Sequence, residues 1–143
     1  MISSRPEHTQ RLMPRLAYVD APAAIAFLRD AFGFEETSRF APRGRLVYSE
    51  MALDGETLFA VTSEAEDAAN GAVSRATGID LFCSVDDVDR HYERAKGAGA
   101  RIVSEPADKF WGDRSYSARD REGYQWTFRK IVKAVALPDS KPT

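Results

Sequence analysis

Tyr18, Tyr48, Glu50, Asp80 and Tyr116 carry the side chains of this chain best suited to moving protons, and each falls in a run that reads as a β-strand. A phenol beside a carboxylate can pass a proton if both reach one substrate. Nothing in the sequence requires that they do. Phe82 and Trp111 add aromatic area, and with the tyrosines they would form a cup. An aromatic cup holding a few carboxylates suits a flat or cationic organic molecule. Nucleophilic chemistry is poorly provided for. Cys83 is the single cysteine, which excludes an internal disulfide and favours a cytoplasmic setting. His8 lies in a polar start and His91 on a helix, where each reads as a surface or packing residue. Gly97-Ala98-Gly99 ends a helix rather than opening one, so it is no phosphate-cradling loop.

The elements that must position these residues are laid out twice. Val19-Asp20-Ala21-Pro22 leads into an amphipathic helix closed by Gly33, and Val85-Asp86-Asp87-Val88 leads into another closed by Gly99, at an offset of 66 residues. Asp54-Gly55 and Glu122-Gly123 each separate two strand-like runs, and Tyr48 and Tyr116 precede them at one shared offset of 68. A chain built twice on one plan pairs its halves around a shared surface. Asp20 and Asp86 are the expected N-caps, with Pro22 in the first turn where its missing N–H costs nothing. Ile25, Leu28 and Phe32, and later Val88, His91/Tyr92 and Ala95, recur at helical spacing. Strands are expected at 12–19, 36–40, 46–53 and 57–62, then at 79–84, 100–104, 115–119 and 124–129. The fold class is therefore α+β: two tandem βαβββ modules forming a curved mixed sheet around a cleft, with the helices on the outer face. The divisions are a flexible arm at 1–10, modules at 11–62 and 78–132, a connector at 63–77 and a flexible tail at 133–143.

Composition narrows the function classes. The chain has 143 residues, is 43% hydrophobic and 29% charged, and carries a formal charge of −2, which suits one soluble globular protein. No basic run points to nucleic acid and no apolar stretch is long enough to cross a membrane. The start of the chain lacks the apolar core of a secretion signal.

The stretch Phe110-Trp111-Gly112-Asp113-Arg114 continuing through Arg119-Asp120-Arg121-Glu122-Gly123 to Trp126-Thr127-Phe128 resembles the vicinal oxygen chelate superfamily, which includes glyoxalase I, extradiol dioxygenases and bleomycin resistance proteins. Arg121 stands where proline is usual. Pro14-Arg15-Leu16-Ala17-Tyr18-Val19-Asp20, with Ala26-Phe27 and Phe32-Gly33-Phe34, is similar to the opening of the bleomycin resistance proteins. The enzymes of this superfamily hold a divalent metal with His, Glu or Gln from four strands. The resemblance places those positions at Pro14, Phe59 or Ala60, Asp80 and Thr127, of which Asp80 alone could ligate. Residues 12–19 and 57–62 contain no His, Asp, Glu or Gln, and Gln125 adds at best a second ligand. A metal site needs three or four converging ligands, so no metal and no other cofactor is expected. Neither histidine lies where the resemblance puts the pocket, so no triad can be assembled.

Side chains alternate along a strand, and from Pro14 this turns Leu16 and Tyr18 inward; Asp80, Phe82 and Ser84 share the inner parity, while Cys83 faces the helices. The expected ligand-binding set is Tyr18, Tyr48, Glu50, Asp80, Phe82, Trp111 and Tyr116. Trp111 has a rival reading as a loop packer, Asp113 and Arg114 as a pair bracing a turn, and Trp126, Phe128, Arg119 and Asp120 as structural. The resulting reading is a metal-free small-molecule-binding protein, sequestering a toxic or antibiotic compound. Its rival is a metal-independent isomerase or lyase acting on a small oxygenated substrate. The resemblance further implies a homodimer in which the N-terminal strand is exchanged and Leu12, Leu16 and Val19 meet a partner.

Overall fold

The structure, a computed structural model, describes residues 10–64 and 78–132. The expected tail lies outside the described residues, as do the arm before Gln10 and the connector after residue 64. The order is β1 (Arg15–Tyr18), α1 (Ala21–Phe32), β2 (Glu35–Phe40), β3 (Tyr48–Leu53), β4 (Glu56–Ser63), β5 (Asp80–Ser84), α2 (Val88–Gly97), β6 (Arg101–Asp108), β7 (Asp113–Arg119) and β8 (Gln125–Ile131). A short 3-10 turn at Pro42–Gly44, not signalled by the sequence pattern, joins β2 to β3. Each βαβββ unit makes its own four-stranded mixed sheet, in the orders β1-β4-β3-β2 and β5-β8-β7-β6. In each, the first strand pairs with the last in parallel and the other pairings are antiparallel. Two compact units result, and Asp30–Phe32, the end of α1, belongs to the second.

Local chemistry explains the helix limits. The Asp20 side chain accepts from the Ala23 N–H at 3.1 Å, and Gly33 stops α1 in the left-handed conformation, its N–H bonded to the Arg29 carbonyl. The second helix is capped by Asp87 rather than Asp86. Its Oδ1 accepts from the Arg90 N–H at 3.0 Å, three residues on, because buried Val88 is already the first helical residue. The offset between the two caps is thus one residue longer than the motif suggests, and α2 has 10 residues against 12.

In the first unit Leu16, Tyr18, Met51, Phe59 and Val61 are buried, and Phe34 meets the edge of Phe59 at 5.1 Å. In the second, Phe128 is the hub: Phe32, His91 and Tyr116 surround it at centroid distances of 4.8, 4.1 and 5.5 Å. Trp126 and Phe128 are core, each at most 3% exposed. The tight packing of such rings is what makes large-to-small changes there costly.

Candidate functional site

Strand registers divide each sheet into a packed face and an open one. In the second unit Asp80, Phe82 and Ser84 align with Gln125, Thr127 and Arg129, and these with Arg119, Ser117 and Ser115, so all share the open face. Cys83, Phe128 and Tyr116 align on the opposite face, under α2. The expected orientations of Asp80, Phe82 and Cys83 thus agree with the registers. Tyr116 does not join them. It is fully buried, donates from Oη to Nδ1 of His91, and has its phenol pKa pushed up by burial. Nε2 of His91 bonds the Phe32 carbonyl at 2.9 Å; a carbonyl only accepts, so Nε2 carries the proton and Nδ1 accepts. Burial lowers the His91 pKa, and Arg94 adds to the lowering against the bond to Phe32. His91 is a packing residue.

Tyr18 also departs from expectation. It aligns with Ser63, and so with Val61 and Phe59 on the packed face of the first sheet, where it is fully buried. Leu16 lies there too, at 6% exposure, among the core residues of the first unit. The open face of that sheet carries Tyr48 and Glu50, aligned with Thr62 and Ala60. Tyr48 Oη donates to Glu50 Oε2 at 2.7 Å. Burial first, then that bond and the Glu50 charge, push the Tyr48 pKa up to about 12, against the pull of Arg15. Tyr48 is therefore a proton holder near neutral pH and a poor base. Beside it opens a cleft of about 910 Å³ lined by Gln10, Met13, Glu50, Glu56, Thr57 and Leu58. Gln10 donates to the Leu58 carbonyl at 2.8 Å, and its buried Oε1 has no hydrogen-bond partner.

Hydroxyls and the Asp80 carboxylate form a bonded cluster on the open face of the second unit. Thr127 donates to Asp80 Oδ1 at 2.9 Å, Gln125 to Oδ2 at 3.2 Å, and Ser117 and Thr127 share a bond of 2.8 Å. Trp111 sits in the turn entering β7, 39% exposed, edge-on to Phe110. Asp113 and Arg114 do not pair, because neighbours on a strand point to opposite faces. Arg114 binds Asp89 of α2 at 2.8 Å and Asp108 at 3.1 Å, whereas Asp113 turns to the open face near Arg129. The sequence reading passed over Arg129, although strand parity from Thr127 places it on the same face.

The metal implied by the resemblance does not fit these residues. Pro14, Phe59 and Ala60 offer no ligating side chain, and both oxygens of Asp80 already accept from Thr127 and Gln125. Among the described residues no group of three or more His, Cys, Asp or Glu side chains is placed to hold an ion.

The family model described as the Glyoxalase/Bleomycin resistance protein/Dioxygenase superfamily matches residues 6–128. This chain belongs to that superfamily. Its fold and sequence are similar to TioX from Micromonospora sp. ML1, with 32% identity and a TM-score of 0.71, over 87% of this chain and 100% of TioX. An uncharacterized protein of Mycobacterium tuberculosis H37Rv is 29% identical over 134 residues, which are 90% of this chain and 78% of that protein. A superfamily enzyme of Burkholderia phytofirmans PsJN shares the fold alone, with 19% identity and a TM-score of 0.68 over 82% and 95% of the two chains. The superfamily hosts many chemistries, so membership does not name the reaction. No helix among the described residues is long and apolar enough to cross a membrane.

Proposed function

We propose that this member of the superfamily binds a small, flat organic molecule without a metal and holds it rather than transforming it. The observation that carries the reading is the open face of the second unit. There Phe82 remains 56% exposed, beside an Asp80 carboxylate already engaged by its own neighbours. Exposed aromatic surface next to satisfied polar groups supports stacking and orientation. Trp111, at 39% exposure, adds an indole at the start of β7. The Asp80 carboxylate, both oxygens already accepting from Thr127 and Gln125, adds polar surface there rather than an open partner for a cation. Sequestering a toxic or antibiotic compound in the cytoplasm is the role such a binder would serve.

One observation favours the rival, a metal-independent isomerase or lyase: the Tyr48–Glu50 bond of 2.7 Å could deliver a proton to an oxygenated substrate. With its pKa near 12, however, Tyr48 can give a proton far more readily than it can remove one.

A panel of flat aromatic ligands, neutral and cationic, tests the proposal by tryptophan fluorescence and thermal shift. A ligand at a hundred times its dissociation constant stabilises by roughly 2.7 kcal/mol. Trp111→Ala is expected to weaken binding by about 1–3 kcal/mol with little loss of fold. Unfolding of that variant would make Trp111 a packing residue. Elemental analysis of tag-free protein should find well under one equivalent of Zn, Ni, Mn or Fe. A stoichiometric metal lost on Asp80→Ala would overturn the metal-free reading. We also propose a homodimer with an exchanged N-terminal strand, since Leu12 and Val19 flank β1 at 78% and 71% exposure. A light-scattering mass near 15.9 kDa would refute it.

A further inference from the structure

Asp113 and Arg129 form the least satisfied polar pair on the open face of the second sheet. Asp113 is 2% exposed, and neither of its oxygens makes a hydrogen bond. Among the described residues the nearest cation is Arg129 Nη1 at 3.7 Å, beyond hydrogen-bonding distance, and Arg129 Nε is buried with no hydrogen-bond partner of its own. Buried polar groups in proteins are overwhelmingly hydrogen-bonded, and each exception calls for a reason. The pair stands beside exposed aromatic surface: the Arg129 guanidinium lies 5.5 Å from the centroid of the Phe82 ring. The Arg129 side chain is itself 36% exposed, so its outer N–H groups reach solvent.

We propose that Arg129, backed by Asp113 and flanked by Phe82, reads an acceptor oxygen on a planar ligand, a carboxylate or carbonyl attached to an aromatic ring. This rests on the binding reading above and names the chemistry at that same face. The guanidinium is a planar fork of donors with no acceptor, and it matches a carboxylate or carbonyl edge while stacking on aromatic rings. Asp113, fully buried behind it, cannot reach a ligand without rearrangement. It acts as a positioning residue that holds the cation over the sheet and balances its charge. A ligand presenting only donors at this point, such as an ammonium, would meet the wrong polarity.

The test titrates naphthoate and naphthylmethylammonium, which share a ring system and differ in the polar end, into the full chain by calorimetry. Wild type is expected to prefer naphthoate by about tenfold or more, the worth of one hydrogen bond to a charged group. Arg129→Gln should abolish that preference, whereas Phe82→Leu should weaken both probes alike. Arg129→Gln leaves Asp113 buried beside a neutral amide and risks unfolding. The double variant Asp113→Asn/Arg129→Gln removes both charges together and must also lose the preference. Equal binding of the two probes to wild type, or a preference surviving the double variant, would overturn the role of Arg129 while leaving the aromatic binding face intact. Failure of both probes to bind would overturn that face and this inference together.

Discussion

The two hairpins that close the βαβββ units solve one problem by different means. β3 and β4 turn through Asp54-Gly55, both at positive φ, 50° and 82°. That two-residue geometry matches the twist of the flanking strands and needs nothing beyond the backbone. β7 and β8 turn through Asp120–Tyr124, where Asp120 Oδ1 accepts from the N–H groups of Glu122, Gly123 and Tyr124, all at 3.1 Å. Its Oδ2 accepts from the indole N–H of Trp126, also at 3.1 Å. The first turn is local; the second hangs on one carboxylate that is 2% exposed. A sequence repeat can therefore reproduce a shape while changing what holds it.

The largest expected effect breaks this contrast directly. Asp120→Ala takes the side-chain acceptor from a buried indole and from three backbone N–H groups, of which Gly123 keeps the Asp120 carbonyl. It should destabilise by about 3 kcal/mol or more in urea unfolding. Asp54→Ala should cost only about 1 kcal/mol, since a short polar side chain tolerates a left-handed backbone better than alanine does. Equal losses at the two positions would show that the hairpins are held alike.

The same contrast explains what the sequence could and could not tell. Signals confined to a few neighbours were legible: the Asp20 cap, the Gly33 stop, the Asp54-Gly55 turn and the strand that brings Asp80 and Phe82 to one face. Facing was harder. Tyr48 and Tyr116 sit at equal distances before their turn signals, yet Tyr48 lies on an open face and Tyr116 on a packed one. The β3–β4 ladder slips by a residue between Met51 and Ala52, whereas β7–β8 runs without a slip into a longer loop. Because side chains alternate, one slip reverses every assignment beyond it. Arg129 escaped notice, and Asp113 was read only as a brace for Arg114, because what singles them out, burial without bonds, depends on the register between two strands.

Titration of His91 sharpens the account of the second unit. Its pKa is held below the ordinary value of 6.5, chiefly by burial, so the unfolded chain binds more protons than the folded one in that range. Stability is then full above pH 6.5 and falls as the pH drops through the lowered folded value. The melting temperature should decline between pH 7 and 5 by a few degrees, beyond what exposed carboxylates contribute. His91→Gln, which keeps a donor toward the Phe32 carbonyl, should flatten that part of the curve even if it lowers the plateau. An unchanged slope in the variant would remove His91 as the cause and with it the neutral tautomer bonded to Tyr116.

Tyr48→Phe in the first unit should have the smallest effect and the sharpest meaning. Removing one partly buried hydrogen bond costs about 1 kcal/mol near neutral pH. The phenol pKa is raised from 10 to about 12, so that contribution is fully present below pH 10 and disappears as the pH climbs through the folded value. Wild type and variant should therefore differ steadily up to pH 10 and converge above it. An alkaline absorbance titration would show one late phenolate present in wild type and missing from the variant. Tyr116 has its pKa raised as well, but by burial under α2 rather than by a carboxylate partner. Glu50→Gln should consequently move the Tyr48 titration downward and leave that of Tyr116 in place. Were Tyr48 found to ionise at or below pH 10 in the native chain, it would gain the capacity to remove a proton. The first unit would then be the place to look for turnover, with the second left as the face that binds.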